Sequence, residues 1–202
     1  MREKFLKRKK KTYAIYGMGS TRLSIALANY YASYLKKSVA IAEVGNGNLS
    51  DISGDNSSKE HVSMVDKAFV GFRIMKVDYY PFINTDLSMK LKGEDYDVII
   101  WDFEDLSHDY MMLYGTCDTR IYLSNIASYN RRLFCQNKNL FESDMIKVEL
   151  YCYFLNKKDL RWYDKTVGRS DTFSSIREMG LIKDPNRLSK DDLEFLKKVA
   201  VE

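Results

Sequence analysis

A chain of 202 residues with 45% hydrophobic and 13% aromatic side chains can bury one substantial core, which excludes a disordered chain. The formal charge of +4 is unevenly spread, since residues 1–11 carry seven cations against Glu3 while the remainder holds 25 basic and 27 acidic side chains, a net of −2. No apolar run reaches the ~20 residues of a membrane span, and the basic N-terminus lacks the apolar stretch of a secretory signal.

In chain order, residues 1–11 read as a flexible basic leader, with adhesion to an anionic surface open to it. Residues 12–202 read as a single domain. Apolar runs bounded by polar turns predict strands over 12–16, 39–44, 72–77, 97–102, 119–123 and 147–154. The run Asp97-Val-Ile-Ile-Trp-Asp102 is continuously apolar, as a central parallel strand requires. Helices are expected over 20–36, 57–68, 84–92, 105–114, 128–139 and 189–201. The first has Ser20 or Thr21 near its N-cap, and the last opens with a capping-box-like Ser189-Lys-Asp-Asp192. Tyr30, Tyr31 and Tyr34 are expected to pack on the sheet with hydroxyls at its rim. Strands alternating with helices predict an α/β fold, a doubly wound, mostly parallel sheet flanked by helices in three layers. Cys117, Cys135 and Cys152 are widely spaced, and His61 and His108 are isolated from them. That pattern suits reduced thiols in a cytoplasmic protein better than disulfides or zinc.

The segment from Thr12 to Ser50 carries most of the functional signal. It reads as strand, Gly17-Met-Gly19 turn, Ser20-Thr21, helix and second strand, the βαβ unit on which nucleotide sites are built. An active P-loop wraps phosphates in backbone N–H groups and places a lysine on the β and γ charges. Ser20 stands where that lysine would be, and the loop is short, because the expected first glycine falls on Ala14 within the strand. Gly17 and Gly19 could equally serve a tight strand-to-helix turn, and Asp102 could cap a helix. A dinucleotide fingerprint also fits in part, with Glu43 as the distal acid, but Arg22 takes the place of its third glycine.

Three stretches resemble the MinD/ParA group of P-loop ATPases, including atypical members that act as localisation factors in pilus assembly. They are Tyr16-Gly-Met-Gly-Ser-Thr-Arg-Leu-Ser-Ile-Ala-Leu-Ala-Asn29, Val44-Gly-Asn-Gly-Asn-Leu-Ser50, and Tyr96-Asp-Val-Ile-Ile-Trp-Asp-Phe103. The resemblance covers residues 12–125 by motif and the remainder only in element order. It implies that Gly17, Gly19, Ser20, Thr21, Arg22 and Asn48 would line a nucleotide site, and that Thr21 and Asp102 would hold a hydrated Mg²⁺. It also marks two departures. Neither lysine of the group is present, and the water-positioning aspartate falls on Val44, with Glu43 one residue away.

Phosphoryl transfer needs charge stabilisation and an oriented water, and a helix N-terminus supplies only about half a positive charge. The expectation is therefore a non-catalytic domain with a degenerate P-loop, a cytoplasmic interaction or localisation module, in some settings peripheral to the membrane. It would bind a protein partner or itself, with no cofactor and no nucleic acid. A weak Mg²⁺-dependent ATP-binding protein or ATPase and an NAD(P)-binding protein remain the alternatives.

Overall fold

The computed structural model describes residues 10–45, 49, 60–63, 70–168 and 170–201. Within them the chain runs β1 (Lys11–Gly17), α1 (Ser20–Asn29), β2 (Val39–Val44), β3 (Glu60–Ser63), β4 (Val70–Ile74), β5 (Val77–Ile83), α2 (Thr85–Gly93) and β6 (Val98–Phe103). It continues α3 (His108–Gly115), β7 (Thr119–Ser124), α4 (Arg131–Ser143), β8 (Val148–Tyr153), α5 (Lys157–Thr166), β9 (Phe173–Met179) and α6 (Lys190–Val201). The strands form one sheet in the order β3-β4-β5-β2-β6-β1-β7-β8-β9. All neighbours pair in parallel except β3 with β4 and β4 with β5. The expected α/β, doubly wound, three-layer architecture is present.

Strand alternation builds two cores. Tyr13, Ile15, Ile41, Ile100 and Leu123 face α1 and α6, where they meet Leu23, Leu27, Leu196 and Val199. On the opposite face Ala14, Ala42, Trp101 and Tyr122 pack under Leu91, Tyr114, Phe134 and Phe141 of α2, α3 and α4. β2 and β6 are buried at every position, which is why their sequences are apolar runs broken only by one acid each, next to last. The first helix continues as a π-helical turn, Tyr30–Tyr34. There Tyr30 and Tyr31 are buried, and the Tyr31 and Tyr13 hydroxyls share a 2.6 Å hydrogen bond; Tyr34 is exposed.

Two expectations are corrected. The run 72–77 is not one strand: Met75 and Lys76 adopt positive φ of 51° and 73°, and Ile74 pairs with Val77 across a two-residue hairpin. The helix expected over 57–68 is contradicted at Glu60–Ser63, which pairs with β4 as an edge strand; the rest of that span lies outside the described residues. Gly19 is the N-cap of α1, in a left-handed conformation with no side-chain cap, and Ser20 is the first helical residue beside it, as the sequence suggests. α5 and β9 were not anticipated.

Candidate functional site

The carboxyl ends of β1, β2, β6 and β7 converge on the N-terminus of α1, the end of a parallel sheet where ligands bind. Gly17 closes β1 with φ 110°, and a Cβ there would lie 2.1 Å from the Leu123 carbonyl oxygen. That same oxygen accepts the Met18 N–H at 3.0 Å, so the turn is stitched against β7 and only glycine fits. Gly19, with φ 74°, lies beneath the Tyr153 hydroxyl, which a Cβ would approach to 3.0 Å. The turn is thus tight, backed by a backbone carbonyl and partly roofed by a phenol.

Asp102, next to last in β6, has no exposed surface, and among the described residues neither of its oxygens receives a well-formed hydrogen bond. Burial pushes its carboxyl up to about 7; the approaching Thr21 and Ser20 hydroxyls hold it down, and Glu104 and Glu43 add to the rise. Glu43 is in register with Asp102 on the neighbouring strand, so both carboxylates face the α1 side of the sheet. Glu43 has a structural partner, because its Oε1 accepts the Leu49 N–H at 2.7 Å and anchors the turn after β2.

Above this floor opens a cleft of about 640 Å³ lined by Gly17, Gly19, Ser20, Thr21 and Arg22 and by side chains from distant segments. The structure therefore brings together all the sequence-predicted nucleotide residues except Asn48, which lies outside the described residues. Glu104, Tyr153, Phe154, Leu181 and Lys183 also line it and were not anticipated. The motifs stop near residue 125, and Phe154, placed by the sequence within the strand 147–154, lies just past the end of β8 at Tyr153. Arg22 and Lys183 are the cleft's cations, and Arg22 is near enough to Tyr153 to favour its ionised form against burial.

Solved structures match this architecture over nearly its whole length. MinD in the MinC:MinD cell division complex of Aquifex aeolicus superposes with a TM-score of 0.60 at 16% identity, over 95% of this chain and 96% of that one. A plasmid partition protein of Borrelia burgdorferi bound to AMPPNP gives 0.61 at 14% identity, over 96% and 97%. The ParA family ATPase of Chlorobium tepidum gives 0.58 at 16%, over 96% and 93%. The chain has the MinD/ParA fold. No protein-family model matches the sequence, and no curated protein matches it. The likeness is therefore one of fold alone.

The MinD/ParA architecture removes support from the dinucleotide alternative. β1 pairs with β6 and β7, so β6 separates it from β2, whereas the dinucleotide-binding order seats the first strand beside the second. In the MinD/ParA frame Asp102, Thr21 and Ser20 offer the oxygen donors that suit a hydrated Mg²⁺. They do not fit the other half of the task. The loop has no lysine for a triphosphate, and Arg22 lies exposed on the first turn of α1. One Glu43 oxygen, Oε1, is committed to the Leu49 N–H, so that carboxylate serves at least in part to hold the turn after β2.

Proposed function

We propose that this chain is a non-catalytic MinD/ParA-like domain that works as an interaction or localisation module, binding a protein partner or a second copy through the face around Gly17–Arg22. The observation that carries the reading is the composition of the turn. Serine stands at the cation position, Tyr153 covers Gly19, and among the described residues no cation adjoins the buried Asp102. Hydrolysis would leave the growing charge on a transferred phosphoryl group unbalanced.

A second reading, a weak Mg²⁺-dependent nucleotide-binding protein, is favoured by one feature. A fully buried carboxylate whose approaching Ser20 and Thr21 hydroxyls make no well-formed hydrogen bond is costly unless a proton or a cation accompanies it. Binding and turnover are read separately: Mg²⁺-AMPPNP is expected to give no saturable binding, and affinity that is lost in Thr21→Ala would establish the second reading. Phosphate release from ATP with Mg²⁺ is expected to equal the buffer background. Turnover that vanishes in Thr21→Ala and Asp102→Asn would overturn the non-catalytic reading.

A further inference from the structure

The mouth of the cleft is apolar in an unusual way. Met18, Phe154 and Leu181 are 49%, 71% and 50% exposed, and all three border the same opening. Chance scatter of exposed apolar side chains is ordinary, but three around one concave site is a patch. The backbone is bent to present two of them. Phe154 adopts a left-handed φ of 56°, a conformation that disfavours any side chain and suits glycine. Met18 is held out between Gly17 and Gly19, both at positive φ. Strain retained at an exposed aromatic residue marks a functional position better than a packing one.

Charge selects the occupant. Among the described residues Arg22 and Lys183 line the cleft without an acidic partner, and the first turn of α1 contains no acid to balance them. Glu104 stands in the same lining and disfavours an anion on its own side. A guest with carboxylates is therefore directed toward Arg22 and Lys183, while its apolar side chain meets the rim.

We propose that this mouth is a docking site for a protein segment that presents a bulky apolar side chain flanked by carboxylates. The proposal rests on the reading of the domain as a non-catalytic module, and it names the chemistry of the partner. Aromatic and apolar anchors supply the binding energy at such sites, and the rim charges set orientation.

The test uses the isotope-labelled full chain and two blocked tetrapeptides, Asp-Phe-Asp-Leu and Lys-Phe-Lys-Leu, followed by amide chemical shifts. The acidic peptide is expected to give saturable shifts clustered at Met18, Arg22, Phe154 and Leu181, with the basic one at least about tenfold weaker. Phe154→Gly relieves the left-handed strain, so it should melt no lower than the parent chain while losing most of the response. The Arg22→Glu, Lys183→Glu double variant should lose it too. Equal response to both peptides, no saturable shift, or full response in Phe154→Gly overturns the proposal. So does tighter Mg²⁺-AMPPNP binding that moves the same amides, which assigns the mouth to a nucleotide. A dimer seen by sedimentation and dissolved by Phe154→Gly likewise overturns it, by assigning the mouth to a second copy. ATP turnover would sink the non-catalytic reading separately, while the peptide, AMPPNP and sedimentation measurements decide this one.

Discussion

At the scale of single residues the site is decided by what a side chain would cost. Gly17 has a carbonyl oxygen where its Cβ would be, so Gly17→Ala must move β1 or β7 and adopt an unfavourable φ. It should cost more than about 2 kcal/mol in urea unfolding. Gly180→Ala meets nothing within 4 Å and should be neutral or slightly stabilising. Equal effects at the two positions would show that the turn is not as tight as its geometry.

Asp102 gives a second prediction with a definite sign. Its folded-state value of about 7 lies above the ordinary 3.8, so the native chain holds a proton that the unfolded chain releases. Stability from this group is full below pH 4 and is lost as pH rises to 7, after which no more is lost. Asp102→Asn removes that decline and should gain on the order of 2–4 kcal/mol over the parent chain at pH 8 relative to pH 4. Parallel stability curves would mean that the carboxylate is ionised at little cost. Asp102 was legible from the sequence because it ends an unbroken apolar strand; its isolation was not, since that depends on Ser20 and Thr21 bringing hydroxyls and no cation.

At the scale of elements, periodicity was readable in β2 and β6 but not in β5, whose buried Val77, Tyr79, Tyr80 and Ile83 were not anticipated as a strand. β2 is found over the predicted residues and β6 shifted by one, because strands covered on both faces must be apolar throughout. The failures at β9 and α5 share a physical cause, weak apolar patterning toward one edge of the sheet. β9, Phe173–Met179, reads FSSIREM and pairs with β8 alone, and α5 carries mostly charge with Tyr163 as its buried apolar anchor. The β4–β5 hairpin was hidden because Met75-Lys76 lacks the Asn-Gly signal its backbone calls for. A Met75→Asn, Lys76→Gly variant should therefore stabilise the fold by about 1 kcal/mol, seen as a higher melting temperature. A lower one would show that Met75 or Lys76 makes contacts worth more than the backbone strain.

At the scale of the molecule, charge and fold divide at the start of β1. The two lysines at residues 10 and 11 belong to the fold. The Lys10 amine donates to the Lys92 carbonyl at 2.6 Å and the Lys11 amine to the Ala200 carbonyl at 2.7 Å, tying β1 to the end of α2 and to α6. A truncation at Thr12, which the sequence suggests as the domain start, would remove both ties; the better boundary leaves Lys10 in place. Residues 1–9 then carry five cations against Glu3, and the rest of the chain is neutral overall. Each cation near an anionic bilayer contributes about 1 kcal/mol at low salt, and that attraction is screened beyond about 10 Å at 0.1 M salt. Loss of residues 1–9 should leave the melting temperature unchanged within about a degree, because none of the ties described above is removed. The same truncation should abolish sedimentation with vesicles rich in anionic lipid at low salt, and the full chain should release from them as salt rises. Undiminished sedimentation of the truncated chain would mean that the leader plays no part in adhesion. The membrane contact, if any, would then have to come from the neutral body.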